Sequence, residues 1–236
     1  MAPKSDHGIQ VIRRSVAILR LLGLSQTFLS LGQIAYRCAL PRSTVQRIVA
    51  TLVDEGWIIP NPHGDGFSLG PQAHVFASQQ RNEAWRQHQP NLAQLASKTG
   101  ETVDLAVLQK TDMLFIDQVP GSHRLRAVSE PGQRFSALKT ANGRACLSLL
   151  TDEELTKRFG VDDVFLNMMQ EVRDTGLAWD IDEHMVGISA VGAAFKGADG
   201  QLYAISIPVP SQRFNRVKSK LAKLLTASLQ TIGVRA

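Results

Sequence analysis

The sequence predicts a mixed α/β (α+β) chain of two domains: a small helical one closed by a hairpin, then a larger one in which strands and helices alternate. Three observations lead there. A length of 236 residues suits one large domain or two small ones. Apolar residues recur at helical spacing up to Glu55 and then give way to short β-branched and aromatic runs divided by turn residues. Charge is also uneven: between His7 and Val53 there is no Asp, Glu or Lys, only Arg13, Arg14, Arg20, Arg37, Arg42 and Arg47. The remainder is close to balanced, so the net charge of +5 sits mainly in the first part and points to a polyanionic partner there.

Composition narrows the classes. Hydrophobic residues are 44% and charged residues 20% of the chain, enough for a buried core and against wholesale disorder. No apolar run approaches the ~18 residues of a membrane span, and Met1 to Gln10 is polar with no apolar signal core. Cys38 and Cys146 lie far apart and form no CxxC, so neither a disulfide scaffold nor a structural zinc is expected, and a reducing cytoplasm fits. No GxGxxG, P-loop or HExxH is present, so no cofactor is expected.

In the first domain, Val11, Val16, Leu19 and Leu22, flanked by Ile12 and Ala17, predict an amphipathic helix over 9–24. Ser30 or Thr27 caps a second, short helix lined by Leu31, Ile34, Ala35 and Cys38. Pro41 disfavours helix at Leu40, and Ser43 reads as the cap of a third helix running to Glu55. Its inward residues are Val45, Ile48, Val49 and Leu52, and Gly56 ends it. Two strands, 57–59 and 67–69, flank the turn-rich stretch Asn61 to Gly66 and form a hairpin. A connecting helix follows over 71–81. The expected division is thus 1–70, a linker helix 71–81, and 82–236.

The second domain opens with a helix at 91–98 behind Pro90. Strands are expected at 103–109 and 113–119, and helices at 142–150, 152–159 and 163–175. A hairpin pairs 187–195 with 202–208, and a terminal helix spans 215–232.

Two short helices joined by a tight turn, then a hairpin, make a winged helix-turn-helix. Its second helix presents N-terminal side chains to the major groove of DNA. Those positions hold Arg42, Ser43, Thr44, Gln46 and Arg47. Arg pairs with guanine and Gln with adenine, while Ser and Thr suit phosphates or bases. His63 at the hairpin tip is placed to reach flanking backbone or the minor groove.

Three stretches in order resemble the IclR family of bacterial transcription regulators: Leu31 to Ala35 with Leu40-Pro-Arg-Ser-Thr-Val-Gln-Arg47; Thr140-Ala-Asn-Gly-Arg-Ala145; and Asp180-Ile-Asp-Glu-His184 with Gly187, ahead of Ile205-Ser206. The resemblance runs from about Ile9 to Ile232. It implies a C-terminal, GAF-like effector-binding domain, and a homodimer or dimer of dimers on a palindromic double-stranded operator. Carried over position by position, it implies a ligand pocket with Ala141, Asn142, Asp180 and Ser206. Where the family often has a cysteine and a second serine, this chain has Ala190 and Pro208, which implies a larger, partly apolar ligand. The resulting expectation is a small organic acid, aromatic or hydroxylated, from a catabolic pathway, its carboxylate at the Ala141–Asn142 helix start.

Other readings of the same residues stay open. Asn142 also reads as a helix cap, Asp180 as the partner of a surface arginine, and Ser206 as a strand residue satisfied by backbone. The run Asp180, Asp182, Glu183, His184 reads as a solvated loop before a metal site. Cys146 reads as a buried helix residue. Two further function classes compete: a hydrolase-like enzyme, for which Gly187-Ile-Ser-Ala-Val-Gly192 is only a loose nucleophile elbow, and a protein-interaction module without DNA.

Overall fold

The computed structural model describes residues 9–79 and 87–232. The chain divides into two compact units, Met1–Arg81 and Asn82–Ala236.

The first unit holds helices α1 (Gln10–Gly23), α2 (Leu31–Cys38) and α3 (Arg42–Asp54), an antiparallel hairpin of β1 (Ile58–Pro60) and β2 (Phe67–Leu69), and α4 (Pro71–Gln79). The end of the expected linker helix, Gln80 and Arg81, lies outside the described residues. Ser30 caps α2 in a reciprocal box: the Gln33 amide donates to Ser30 Oγ at 3.3 Å, and the Ser30 amide donates to Gln33 Oε1 at 2.8 Å. The turn to α3 passes through Ala39 in the left-handed region, φ 51°. The third helix then starts one residue earlier than expected, at Arg42. Pro41 supplies no side-chain cap, so Ser43 is an exposed residue of the first turn rather than the cap.

The core of this unit joins Ile18, Leu22, Leu29, Ile34, Val45, Ile48, Val49 and Ile58. On α1 the buried residues are Ile18 and Leu22, whereas Val11, Ile12 and Val16 are exposed. Val11 and Val16, which helical spacing groups with Leu19 and Leu22, thus stand outside this core. The helix carries two apolar stripes, and the small core reaches only one of them. Leu29 and Phe67 exchange backbone hydrogen bonds of 3.0 and 2.9 Å, tying the hairpin to the start of α2.

The second unit begins with α5 (Gln89–Thr99) and centres on one antiparallel sheet. Its strands are β3 (Val103–Gln109), β4 (Asp112–Val119), β5 (Arg134–Ser136), β6 (Ala178–Met185), β7 (Ile188–Lys196) and β8 (Leu202–Pro210), in the order β5-β4-β3-β8-β7-β6. The helices are α6 (Ala141–Leu147), α7 (Asp152–Phe159), α8 (Asp163–Thr175) and α9 (Ser211–Thr231). Leu105, Val191, Ile205 and Ile207 share a core with Leu92 and Leu95 of α5 and with Phe214, Leu221 and Leu225 of α9. Ala106, Ala178 and Ala204 join a second core with Cys146, Leu147, Leu155 and Met169 of α6 to α8. Successive residues of one strand serve opposite cores, so the sheet lies between two helical layers. That accounts for the near-continuous apolar runs of β7 and β8.

Two strands escaped the sequence reading. The first, β5, is three residues long, and β6 carries Asp-Ile-Asp-Glu-His, which shows no alternation of apolar and polar residues. The acidic run is therefore strand with an irregular register, not loop; Asp182 sits at the irregularity with φ 58°. The sixth helix stops at Leu147, three residues short of the expected end. No helix among the described residues is long and apolar enough to cross a membrane.

Candidate functional site

In the first unit, burial of Val45, Ile48 and Val49 fixes the rotation of α3. At 3.6 residues per turn this turns Arg42, Ser43, Gln46 and Arg47 outward, all exposed, with Thr44 half-buried beside them. The first turn of α3 contains no acid, so the cationic edge is not neutralised locally. A guanidinium fork and a carboxamide, one helical turn apart, are the donor sets that match guanine and adenine edges. His63 is exposed in the hairpin turn, which its backbone N–H tightens by donating to Asn61 Oδ1 at 3.0 Å.

The second unit encloses a cavity of ≈ 430 Å³. Register shows how its floor is built. Asp104 of β3 pairs with Ser206 of β8, which pairs with Gly192 of β7; one step along, Asp180 of β6 pairs with Ala190, which pairs with Pro208. Side chains two apart on a strand share a face, so Asp104, Ser206, Pro208, Ala190 and Asp180 lie on one surface of the sheet. The start of α6 rests on the bare backbone of Gly192: a Cβ there would lie 2.6 Å from the Ala141 carbonyl carbon. This close approach brings Ala141 and Asn142 to the cavity. All six effector residues named from sequence therefore line one space.

The details correct two of the alternatives. Thr140, not Asn142, caps α6, accepting from the Gly143 amide at 3.2 Å. Asn142 is 1% exposed, and among the described residues neither its Oδ1 nor its Nδ2 has a hydrogen-bond partner. Such a group costs roughly 1–3 kcal/mol unless something satisfies it. Asp180 is buried and does not meet an arginine directly. Its Oδ1 accepts the amides of Glu183 and His184 at 3.0 and 3.2 Å, while Arg144 donates to Glu183 at 2.8 Å. Burial pushes the Asp180 carboxyl up, against the two amides, which pull it down. The α6 helix has only seven residues, which makes its start a weak anchor for a carboxylate.

Other lining residues carried no recognisable motif. Asp104 is 2% exposed; its Oδ1 accepts from Gln118 Nε2 at 2.9 Å and Ser129 Oγ at 2.6 Å, and burial raises its pKa to about 6. An aspartate inside an apolar strand was the one available signal. The aromatic wall is Phe115 against Phe135, edge to face at 5.1 Å, with His184 at 4.5 Å from Phe135. His184 Nε2 is buried and has no hydrogen-bond partner among the described residues. Arg126 also lines the space.

The loose elbow falls elsewhere. Ser189 lies within β7, and its hydroxyl meets Ser211 Oγ at 2.8 Å; Ser211 in turn donates to Asp182 at 2.7 Å. These bonds tie β6 and β7 to the start of α9. Among the described residues no three His, Cys, Asp or Glu side chains gather to hold a metal ion. Cys146 is fully buried.

Comparison with known proteins places the chain. A model of the IclR helix-turn-helix domain matches residues 11–62, and one of the bacterial transcriptional regulator IclR C-terminal matches residues 77–234. The HTH-type transcriptional regulator Rv1719 of Mycobacterium tuberculosis is 36% identical over 232 residues, covering 93% of this chain and 90% of that protein. The HTH-type transcriptional regulator TtgV of Pseudomonas putida is 32% identical over 232 residues, covering 94% and 89%. In fold, the chain matches an IclR regulator of Alicyclobacillus acidocaldarius with a TM-score of 0.79 at 22% identity, over 94% of this chain and 96% of that one. It also matches an IclR homologue of Microbacterium hydrocarbonoxydans solved with 4-hydroxybenzoate, with a TM-score of 0.73 at 17% identity, over 94% and 99%. With both domain models matched in order, the chain belongs to the IclR family of DNA-binding transcriptional regulators.

Proposed function

We propose that this protein controls a catabolic operon. In this reading, a small organic acid, aromatic or hydroxylated, binds the C-terminal cavity and modulates the grip of the helix-turn-helix on a palindromic operator. The observation that carries the ligand reading is Asn142, buried and unpartnered beside Asp180 and Ser206. Polar groups of that kind await a partner, and the aromatic wall suits a ring. The neighbour solved with 4-hydroxybenzoate supports the same ligand class. On the DNA side, Arg42 and Gln46 contact bases, Arg47 contacts phosphate or base, Ser43 and Thr44 lie beside them, and His63 reaches the flank.

One recognition helix covers too few base pairs for genomic specificity, so a homodimer or dimer of dimers is part of the proposal. The exposed stripe of Val11, Ile12 and Val16 on α1 offers a surface for pairing. A gel shift with the DNA upstream of the chain's own gene, with and without a panel of hydroxylated aromatic acids, tests the reading. A shifted band whose midpoint moves about 5- to 150-fold with one acid supports it. No shift on that DNA, or a midpoint indifferent to every acid that calorimetry shows to bind, overturns it.

A further inference from the structure

The polar groups of the cavity are not distributed evenly. At its inner end, Asn142, Asp104, Asp180 and Ser206 are each at most 4% exposed. Two of those four are carboxyl groups, and Arg126 apart no lysine or arginine among the described residues is on the lining; Arg144, whose charge reaches Asp180, is off the lining and bonded to Glu183. An anion seated there would be stripped of water next to two acids, and the low-dielectric surroundings would magnify the repulsion. A hydroxyl suits the same place: it donates to a carboxylate oxygen or to Asn142 Oδ1 and accepts from Asn142 Nδ2.

The outer end is the reverse. Among the described residues, Arg126 is the one lysine or arginine on the lining, and it is exposed. Its hydrogen bond from Nη1 to the His123 carbonyl, at 3.3 Å, uses one of five donors. Between the two ends the walls are apolar, with Phe115, Phe135, Ile188, Ala190 and Pro208.

We infer that the effector enters hydroxyl first, with its ring between the aromatic and apolar walls, and that Arg126 at the mouth holds its carboxylate. This rests on the ligand class given under the proposed function and reverses the orientation expected from the α6 start. Arg126 becomes the residue that selects acids, and Asn142 the one that selects hydroxylated ligands.

Calorimetry on the full chain with 6-hydroxy-2-naphthoate, 2-naphthoate and 2-naphthol tests the orientation. The hydroxy acid should bind tightest, with each single-ended probe about tenfold weaker or more. Arg126→Gln, at an exposed position, should weaken both acids about tenfold and leave 2-naphthol within about twofold. Asn142→Leu should remove the advantage of the hydroxy acid over 2-naphthoate. If Arg126→Gln leaves acid binding unchanged, or 2-naphthoate or 2-naphthol binds as tightly as the hydroxy acid, the orientation is overturned while the effector reading stands. Silence from all three probes in the wild-type protein overturns the ligand class, and the orientation with it.

Discussion

The two units of this chain put their chemistry on opposite sides of their cores. In the first, the candidate reading residues stand on the outside of α3, within six positions of one another, and the core beneath only sets the rotation of the helix. In the second, the candidate ligand residues stand inside, on four strands and a helix start, and come together from Asp104 to Pro208 through strand pairing. An outward site built on one helix can be altered at little cost to folding. An inward site shares its residues with the scaffold, so buried acids and orphaned amides carry a stability cost there.

The largest effect that sharpens this contrast belongs to the scaffold of the second unit. Glu101 is 1% exposed and receives Arg213 through two bonds, 2.6 and 2.7 Å. Arg213→Met leaves that carboxylate buried and should cost this unit about 3 kcal/mol in denaturant unfolding, with the first unit unchanged. An equal loss in both units would break the picture of independent scaffolds.

Asp104 comes next. Its folded pKa of about 6 stands above the ordinary 3.8, so the folded unit holds an extra proton between those values. Stability should therefore fall as pH rises through that window and stay lower above it. Asp104→Asn keeps an oxygen for Gln118 and Ser129, removes the slope, and should gain ~2–3 kcal/mol at pH 7. Melting curves of both proteins from pH 4 to pH 8 check this; parallel curves would show that Asp104 is not held in this state.

On the outer site, Arg42→Ala should weaken operator binding by ~1–3 kcal/mol and relax preference at one base position, with melting unchanged. Gln46→Ala should behave likewise. Unchanged affinity at matched salt in both variants would remove α3 as the reading element.

The smallest effects are local. Ser30→Ala removes one half of the capping box of α2 and should cost about 1 kcal/mol in the first unit. Ala39→Gly relieves a left-handed residue, φ 51°, and should stabilise the same unit by roughly 0.5–1 kcal/mol. Thermal melts of the pair read both signs.

The same contrast governs what could be read in advance. In the first unit nearly every element follows from caps, turns and helical spacing, because its contacts are short-range. The exception is which apolar residues of α1 are buried: two apolar stripes compete there, and only packing chooses between them. In the second unit α7 and α8 were expected at their observed limits: Thr151 and Asp162 start them, and Gly160 and Gly176 end them in left-handed conformation. The polar strand β6 was not legible, since its residues are held by the neighbouring β7 rather than by their own pattern.

By itself the sequence determined the helix-turn-helix, its outward arginines and glutamine, and, through family resemblance, six positions that line the cavity. The first two are properties of periodicity, capping and local charge, which act over a few residues; the six positions come from the resemblance alone. Only the tertiary structure decided that Thr140 caps α6 and leaves Asn142 unpartnered among the described residues, that Asp104 shares a floor with Asp180, and that the exposed Arg126 lines the same cavity. Burial and the absence of a partner are relations among residues far apart in the chain, and the sheet creates them by placing those residues in register.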